Sequence, residues 1–324
     1  MTTPNVTIVP DGVLAYGLQL PVQALSVRTS APWERDGATV DDMVAAARAC
    51  DEAGFLYVAV CHHVAVPRGP AETMGTQWFD PFTTLGYLAA CTTRTRMMTN
   101  VFVVAYQHPL QTAKAVATLD ALSGGRVILG VGAGHVEGEF EALGVPFADR
   151  GRITDEAIDA IAGALADEWP AHRGDRWSYS GVGQRPRPVQ RPRPPIWVGG
   201  SGRPALRRVA ARGDGWIPQG TPRAQLPADI EFILRERDAR RPGAVPEIGY
   251  ITEHVYVGTP SWDLPRHAVS GPPGRIVESF DELGRMGVSH LQVRFASRSA
   301  SELCDQIAAF GAEVGPHLRR VPLT

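Results

Sequence analysis

The stretch from Leu119 to Gly134, Leu-Asp-Ala-Leu-Ser-Gly-Gly-Arg-Val-Ile-Leu-Gly-Val-Gly-Ala-Gly, constrains the fold more than any other. Asp120 and Leu122 close a helix, and Gly124-Gly125 supply the backbone angles of a stop and reversal. Val127, Ile128, Leu129 and Val131 then form an apolar run, the mark of a parallel strand covered on both faces. Gly130, Gly132 and Gly134 strip side chains from the carboxyl end of that strand. Such a Gly-x-Gly-x-Gly pattern fits either the close approach of something large and flat or simple helix packing.

Apolar periodicity sets out the same strand-and-helix unit along the whole chain. A strand from Ala15 to Leu20 and a loop from Pro21 to Ala38 precede a helix capped by Thr39, with Val40, Met43, Val44 and Ala47 on one face. Gly54 ends it before a strand from Leu56 to Val60, and a long loop from Cys61 to Asp80 leads to a helix over Pro81 to Thr92. A third strand spans Met97 to Val104, and His108-Pro109 opens the helix that runs into the organising stretch. Beyond Gly134 follow a helix (Arg152 to Asp167), a strand (Ile196 to Gly199), a helix (Ala205 to Ala211) and a strand (Gly215 to Pro218). A helix from Ala228 to Arg240 and a strand from Ile248 to Val257 come next, then a helix marked by Ile276, Phe280 and Leu283. Leu291, Val293 and Phe295 alternate in the eighth strand, and a Ser299–Glu302 capping box opens the last helix. Eight successive units predict an α/β fold, a closed (β/α)8 TIM barrel, as one domain over residues 1–324. The Pro-, Arg- and Gly-rich segment at about 169–195 reads as an insertion before strand five, a rigid surface connection. An open doubly wound sheet would need an early Gly-x-Gly-x-x-Gly, which Gly17-Leu-Gln-Leu does not supply.

A net charge of −2, from 32 basic and 34 acidic residues, points away from nucleic acid and from an anionic membrane as partners. Cys50, Cys61, Cys91 and Cys304 are scattered without a C-x-x-C pair, as in a reduced, cytoplasmic protein. No signal-like start and no apolar run of membrane length is present, so a cytoplasmic location is expected.

Barrel enzymes work at the carboxyl ends of their strands. Strand two ends in Cys61-His62-His63, and both histidines enter a site only where the strand bends. A metal is not expected, because adjacent histidines rarely share one ion and no carboxylate stands at ligand spacing. The alternative is a pair of loop histidines bonded to backbone. His135, after strand four, is at the right place to act as acid, base or wall, and the sequence leaves these open. Strand five ends in Gly199-Gly200-Ser201-Gly202 directly before a helix, either an anion site made of free amides and a hydroxyl or a flexible turn. Arg294 and Arg298 stand at the end of strand eight, suited to an acidic ligand or to the surface, and Trp33 and Trp78 anchor loops or line a pocket.

Read with its continuation Glu139-Phe-Glu-Ala-Leu-Gly-Val-Pro-Phe-Ala-Asp-Arg-Gly-Arg, the organising stretch resembles the bacterial luciferase-like monooxygenase family, in particular its oxidoreductases that use the deazaflavin coenzyme F420. Pro188-Val-Gln, Pro195-Ile-Trp-Val-Gly-Gly, Ala205-Leu-Arg-Arg and Gly213-Asp-Gly-Trp match as well, from about Ala15 to Trp216. The resemblance implies hydride transfer between reduced F420 and a small organic substrate, as in reduction of an activated C=C or C=N bond. It implies His63 as the first catalytic candidate, His135 as the second and His62 as a partner that tunes or shares the role. His62 stands where the deazaflavin branch prefers Asp or Glu, whereas bacterial luciferases carry a double histidine, so an FMN-dependent monooxygenase is the alternative. The family places a cis peptide at Asn100-Val101 under the cofactor ring and the cofactor phosphate at Gly199, Gly200, Ser201 and Gly202, with Gly132 and Gly134 nearby. A homodimer is usual in it. A barrel that binds flavin without turnover is a third reading, opposed by the retained histidines.

Overall fold

Each sequence unit puts a strand inside and a helix outside, and the strands meet edge to edge until the last returns to the first. The computed structural model describes residues 5–27 and 29–323. Its strands are β1 (Ala15–Gln19), β2 (Tyr57–Val60), β3 (Arg96–Thr99), β4 (Val127–Gly132), β5 (Ile196–Gly199), β6 (Gly215–Ile217), β7 (Glu247–Val257) and β8 (His290–Phe295). Neighbours pair in parallel throughout, and β8 pairs with β1 through Ala15 opposite His290, which closes the barrel. The outer helices follow in turn: α1 (Val40–Glu52), α2 (Pro81–Ala89), α3 (Pro109–Leu122), α4 (Arg150–Ala166), α5 (Arg203–Arg212), α6 (Leu226–Asp238), α7 (Pro273–Arg285) and α8 (Ala300–Ala309). The expected (β/α)8 barrel is therefore the observed architecture.

Local rules explain the elements. The Thr39 amide donates to Asp42 Oδ2 (2.7 Å) at the start of α1, and Met43, Val44, Ala46, Ala47 and Cys50 turn inward from it. His108 caps α3, its Nδ1 accepting the Leu110 amide at 3.2 Å. Residues in β2, β4 and β5 are buried throughout, as their apolar runs require. Between α4 and β5 the chain forms a small hairpin, His172–Arg173 against Ser178–Tyr179. Two carboxylates staple this insertion to the barrel: Glu156 accepts the amides of Asp175, Arg176 and Trp177, and Asp120 accepts those of Val189 and Gln190.

Three segments differ from the sequence expectation. The loop after β2 contains a helix, Arg68–Met74, and Glu137–Ala142 forms another after β4. Strand three stops at Thr99; after a kink, Phe102–Val103 pairs with β4 instead.

At the amino end of the barrel, residues 5–9 bond to the segments that begin β6 and β7. The amides of Ile8 (2.7 Å) and Val9 (2.5 Å) donate to Glu247 Oε1, while Glu247 Oε2 is buried without a hydrogen-bond partner among the described residues. Burial pushes this carboxyl up from 4.5 to about 7, against the pull of the two amides. The folded chain thus holds a proton there that the unfolded chain releases near 4.5. Stability is expected to fall as pH rises from 4.5 through 7, by on the order of 3 kcal/mol, and to level off above. Thermal midpoints of the wild type and Glu247→Gln at pH 5 and pH 8 check this; equal pH slopes in the two proteins would refute it.

Candidate active site

At the opposite, carboxyl end, the loop after β2 bends over the mouth and separates the two adjacent histidines. His62 turns inward. Its ring stacks on Phe102, 4.2 Å between centroids, and its Nδ1 accepts the Val103 amide at 3.1 Å. Burial holds its pKa down, at about 4, so at neutral pH the ring is uncharged with its proton on Nε2. His62 thereby braces the strand segment Phe102–Val103 rather than facing the mouth.

His63 turns the other way. Its Nδ1 lies 2.9 Å from Oε2 of Glu139, and its ring packs edge-on to Trp78 and His135. Its Nε2 has no protein partner among the described residues. Glu139, on the short helix Glu137–Ala142, is fully buried yet accepts from four donors: His63, the Tyr106 hydroxyl and the amides of Val64 and Ala65. Burial alone would raise its pKa, but the bonds from His63, Val64 and Ala65 outweigh it and hold the carboxyl at about 2. An ionised carboxylate on Nδ1 fixes the imidazole proton there and leaves Nε2 to exchange protons. His135 is exposed beside this pair; burial of part of its ring and the nearby His63 lower its pKa, with Glu139 opposing.

Beneath the mouth the Asn100-Val101 peptide is cis, as the resemblance implies. A Cβ on Gly132 would lie 2.4 Å from Val101 Cγ2, and one on Gly199 would lie 2.6 Å from its Cγ1. The space these glycines leave is therefore filled by Val101, and that beside Gly134 (φ +74°) by the Phe140 ring. Asn100 donates through Nδ2 to Gln292 (2.7 Å) and Gln19 (3.3 Å), while its Oδ1 is buried with no partner among the described residues.

In the loop after β5, Ser201 does not offer its hydroxyl to a ligand: Oγ accepts the Gln219 amide and the Thr221 hydroxyl and donates to the Gln219 carbonyl. Gly200 passes at φ +109°, and the amides of Ser201, Gly202 and Arg203 have no protein acceptor among the described residues. They open α5, which has no side-chain cap.

A cavity of about 960 Å³ spreads over the ends of β1, β6, β7 and β8. Trp33, Trp78, Trp262, Tyr250 and Phe295 give it apolar walls, and Arg294 and His254 a polar patch. Arg298, the other arginine after β8, is held by Glu302 at 3.0 and 2.9 Å. No cluster of His, Cys, Asp or Glu able to hold a metal occurs among the described residues, and no described helix is long and apolar enough to cross a membrane.

The family model for luciferase-like monooxygenases matches residues 22–268. The chain belongs to this family. An uncharacterized protein of Mycobacterium tuberculosis is 33% identical over 204 residues, 59% of this chain and 70% of that one. The coenzyme F420-dependent tetrahydromethanopterin reductase of Methanopyrus kandleri shares the fold at a TM-score of 0.72 and 17% identity, over 94% of this chain and 99% of that one. The FMN-bound oxygenating constituent of 3,6-diketocamphane monooxygenase, a type II Baeyer-Villiger enzyme from Pseudomonas putida, does so at a TM-score of 0.76 and 14% identity, covering 96% and 100%. This luciferase-like barrel thus shares its fold with a deazaflavin enzyme and a flavin enzyme.

Of the residues singled out in the sequence, the fold brings His63 and His135 together and turns His62 away. Glu139 and Tyr106 were given no catalytic role from the sequence. The available signal was slight: Glu139 stands in a run of alternating acids, Glu137, Glu139 and Glu141, that reads as a solvated face.

Proposed function

We propose that the protein is an F420-dependent oxidoreductase that passes a hydride from the reduced deazaflavin to an activated C=C or C=N bond of a small organic substrate. The observation that carries this reading is the His63–Glu139 pair at the barrel mouth, a proton-handling dyad with one ring nitrogen open. The residues present suit the cofactor. Asn100 Oδ1, buried and unpartnered, suits an N–H on a ring edge, with Gln19 and Gln292 beside it. The amides of Ser201, Gly202 and Arg203 suit a phosphate, with Gly199 and Gly200 shaping the turn. Val101, seated over Gly132 and Gly199, forms the floor, and Gly134 lets the chain turn away from it.

When bound, reduced F420 supplies the hydride without oxygen. His63, its Nδ1–H held by the carboxylate of Glu139, gives a proton from Nε2 to the substrate atom that gains electrons. In the oxidising direction the same Nε2 takes a proton from an alcohol. His135, 5.8 Å from His63 between ring centroids, borders the same space and relays the proton to solvent. An FMN-dependent monooxygenase rested on the double histidine; with His62 bonded to the Val103 amide, only His63 remains at the mouth, which favours the deazaflavin. The reading includes a cytoplasmic homodimer acting on a small molecule, with neither nucleic acid nor membrane as partner; light scattering should give the mass of two chains.

Titration with oxidised F420 and, separately, with FMN tests the cofactor. Micromolar binding of F420 with FMN much weaker is expected. The reverse order, with oxygen uptake on adding reduced FMN, would replace this reading by the monooxygenase one.

A further inference from the structure

Among the described residues Arg294 is a cation without a counterion. It stands on β8 two residues beyond Gln292, so both side chains rise on the inner face of the barrel, and Gln292 reaches Asn100 under the mouth. Across the β7–β8 register it faces His254, whose Nε2 lies 3.4 Å from Arg294 Nη2, and its own amide donates to Thr252 Oγ1 at 3.1 Å. A guanidinium donates only, so His254 presents a lone pair and is neutral. Among the described residues no carboxylate lies within ion-pair distance of Arg294. The acids around the cavity are taken: Glu34 accepts the amides of Val22 and Ala31, and Glu253 accepts from Arg223 and Tyr250. Burial lowers the pKa of Arg294, and burial and Arg294 lower that of His254. A chain does not keep a half-buried, unpaired guanidinium for stability, since its desolvation is uncompensated. Beside it the cavity is aromatic: Phe295 adjoins it on the strand, and Trp33, fixed through Nε1 to Ser297 Oγ at 3.2 Å, and Trp78 complete the wall.

We propose that Arg294 anchors the carboxylate of an apolar organic-acid substrate whose body packs against Trp33, Trp78 and Phe295. This deepens the proposed function and rests on it for the reaction, though not for the binding. The acidic tail of the cofactor is the other source of carboxylates. The amides suited to its phosphate lie after β5, three strands away around the barrel, whereas Arg294 rises beside Gln292 at the ring end. The substrate therefore takes this site. A guanidinium fork grips a planar carboxylate through two parallel N–H bonds, with His254 holding its far edge.

Tryptophan fluorescence of the full chain, with Trp33, Trp78 and Trp262 as reporters, measures binding of 3-phenylpropanoate, 2-naphthoate and decanoate against their primary amides. The wild type should bind at least one acid about tenfold more tightly than its amide. Arg294→Met should remove that preference and leave amide binding unchanged, and Arg294→Lys should restore part of it. Arg294→Met should also melt no lower than the wild type, because no ion pair is broken. F420 and its tail-less ring-ribityl fragment should bind both proteins equally. Equal affinity for acid and amide, undiminished acid binding by Arg294→Met, or no acid bound at millimolar concentration overturns the proposal. Loss of F420 affinity in Arg294→Met, with the fragment unaffected, assigns the residue to the cofactor tail and overturns it too. Acid binding that persists in a protein that binds no F420 upholds Arg294 and overturns the proposed function alone.

Discussion

Replacing Glu139 by Gln should lower kcat by about 10²- to 10⁴-fold while the affinity for cofactor stays within a few-fold of the wild type. The amide has one accepting oxygen where the carboxylate has two. The Val64 and Ala65 amides can only donate, so they claim that oxygen and the NH2 group turns toward Tyr106 and His63. His63 then accepts at Nδ1 and carries its proton on Nε2, the tautomer that cannot act as a base. His63→Ala should fall as far, because it removes the proton carrier itself, and the double variant should be no worse than either single one. Steady-state rates for the three variants, with cofactor affinity measured separately, provide the check. Full activity in His63→Ala would move the proton step to His135. Glu139 also ties two loops together, and its depressed pKa makes this support pH-dependent. The stability it gives is present above the ordinary 4.5 and is lost as pH falls through about 2, so near neutral pH the variants report on catalysis without titration of this carboxyl.

The contrast between Glu139 and the barrel itself shows what the sequence carried. Strands such as Val127 to Gly132 are buried on both faces, so their apolar composition alone marks them, and helix caps such as Thr39 and Ser299 are local patterns. His62 and His63 lie in the loop beyond β2, and which of them looks into the mouth is set by Phe102 and Glu139, at sequence separations of about 40 and 76 residues. Glycines at 132 and 199 were visible as missing side chains. Their occupant, Val101, arrives from a kink in another strand and leaves no trace in either stretch. The Ser201 hydroxyl was offered with the free amides as one half of an open choice between an anion site and a turn; the loop after β6, about 18 residues on, takes it up. Local periodicity thus set the scaffold, while long-range pairing set the site.

The Gly213-Asp-Gly-Trp216 motif gives the same lesson from the other end of the barrel, and its replacement should be the most damaging to stability. The motif is one of the matches to the family; its Asp214 precedes β6 and sits at the amino end, away from the mouth. There it is fully buried and pairs with Arg193, itself 1% exposed, at 2.5 Å. The same carboxylate accepts the amides of Ile196 (2.8 Å) and Val6 (3.2 Å), and the guanidinium of Arg241 stands 3.9 Å away. Removing it in Asp214→Ala leaves the Arg193 charge and both amides without their acceptor inside protein, a loss of about 3–5 kcal/mol. The chemical-denaturation midpoint should fall accordingly, and the thermal midpoint by roughly 10 °C. Arg193→Met alone should cost less, because Asp214 retains Arg241 and its amides. In the double variant Asp214→Ala with Arg193→Met, the stranded charge is gone, so part of the loss should return as a coupling of roughly 1–3 kcal/mol. Because the network lies at the far end from His63, kcat at a temperature where the variants are folded should match the wild type. A variant as stable as the wild type would mean that the buried pair contributes no net stability, and a lost kcat in the folded variant would mean that the two ends of the barrel are coupled.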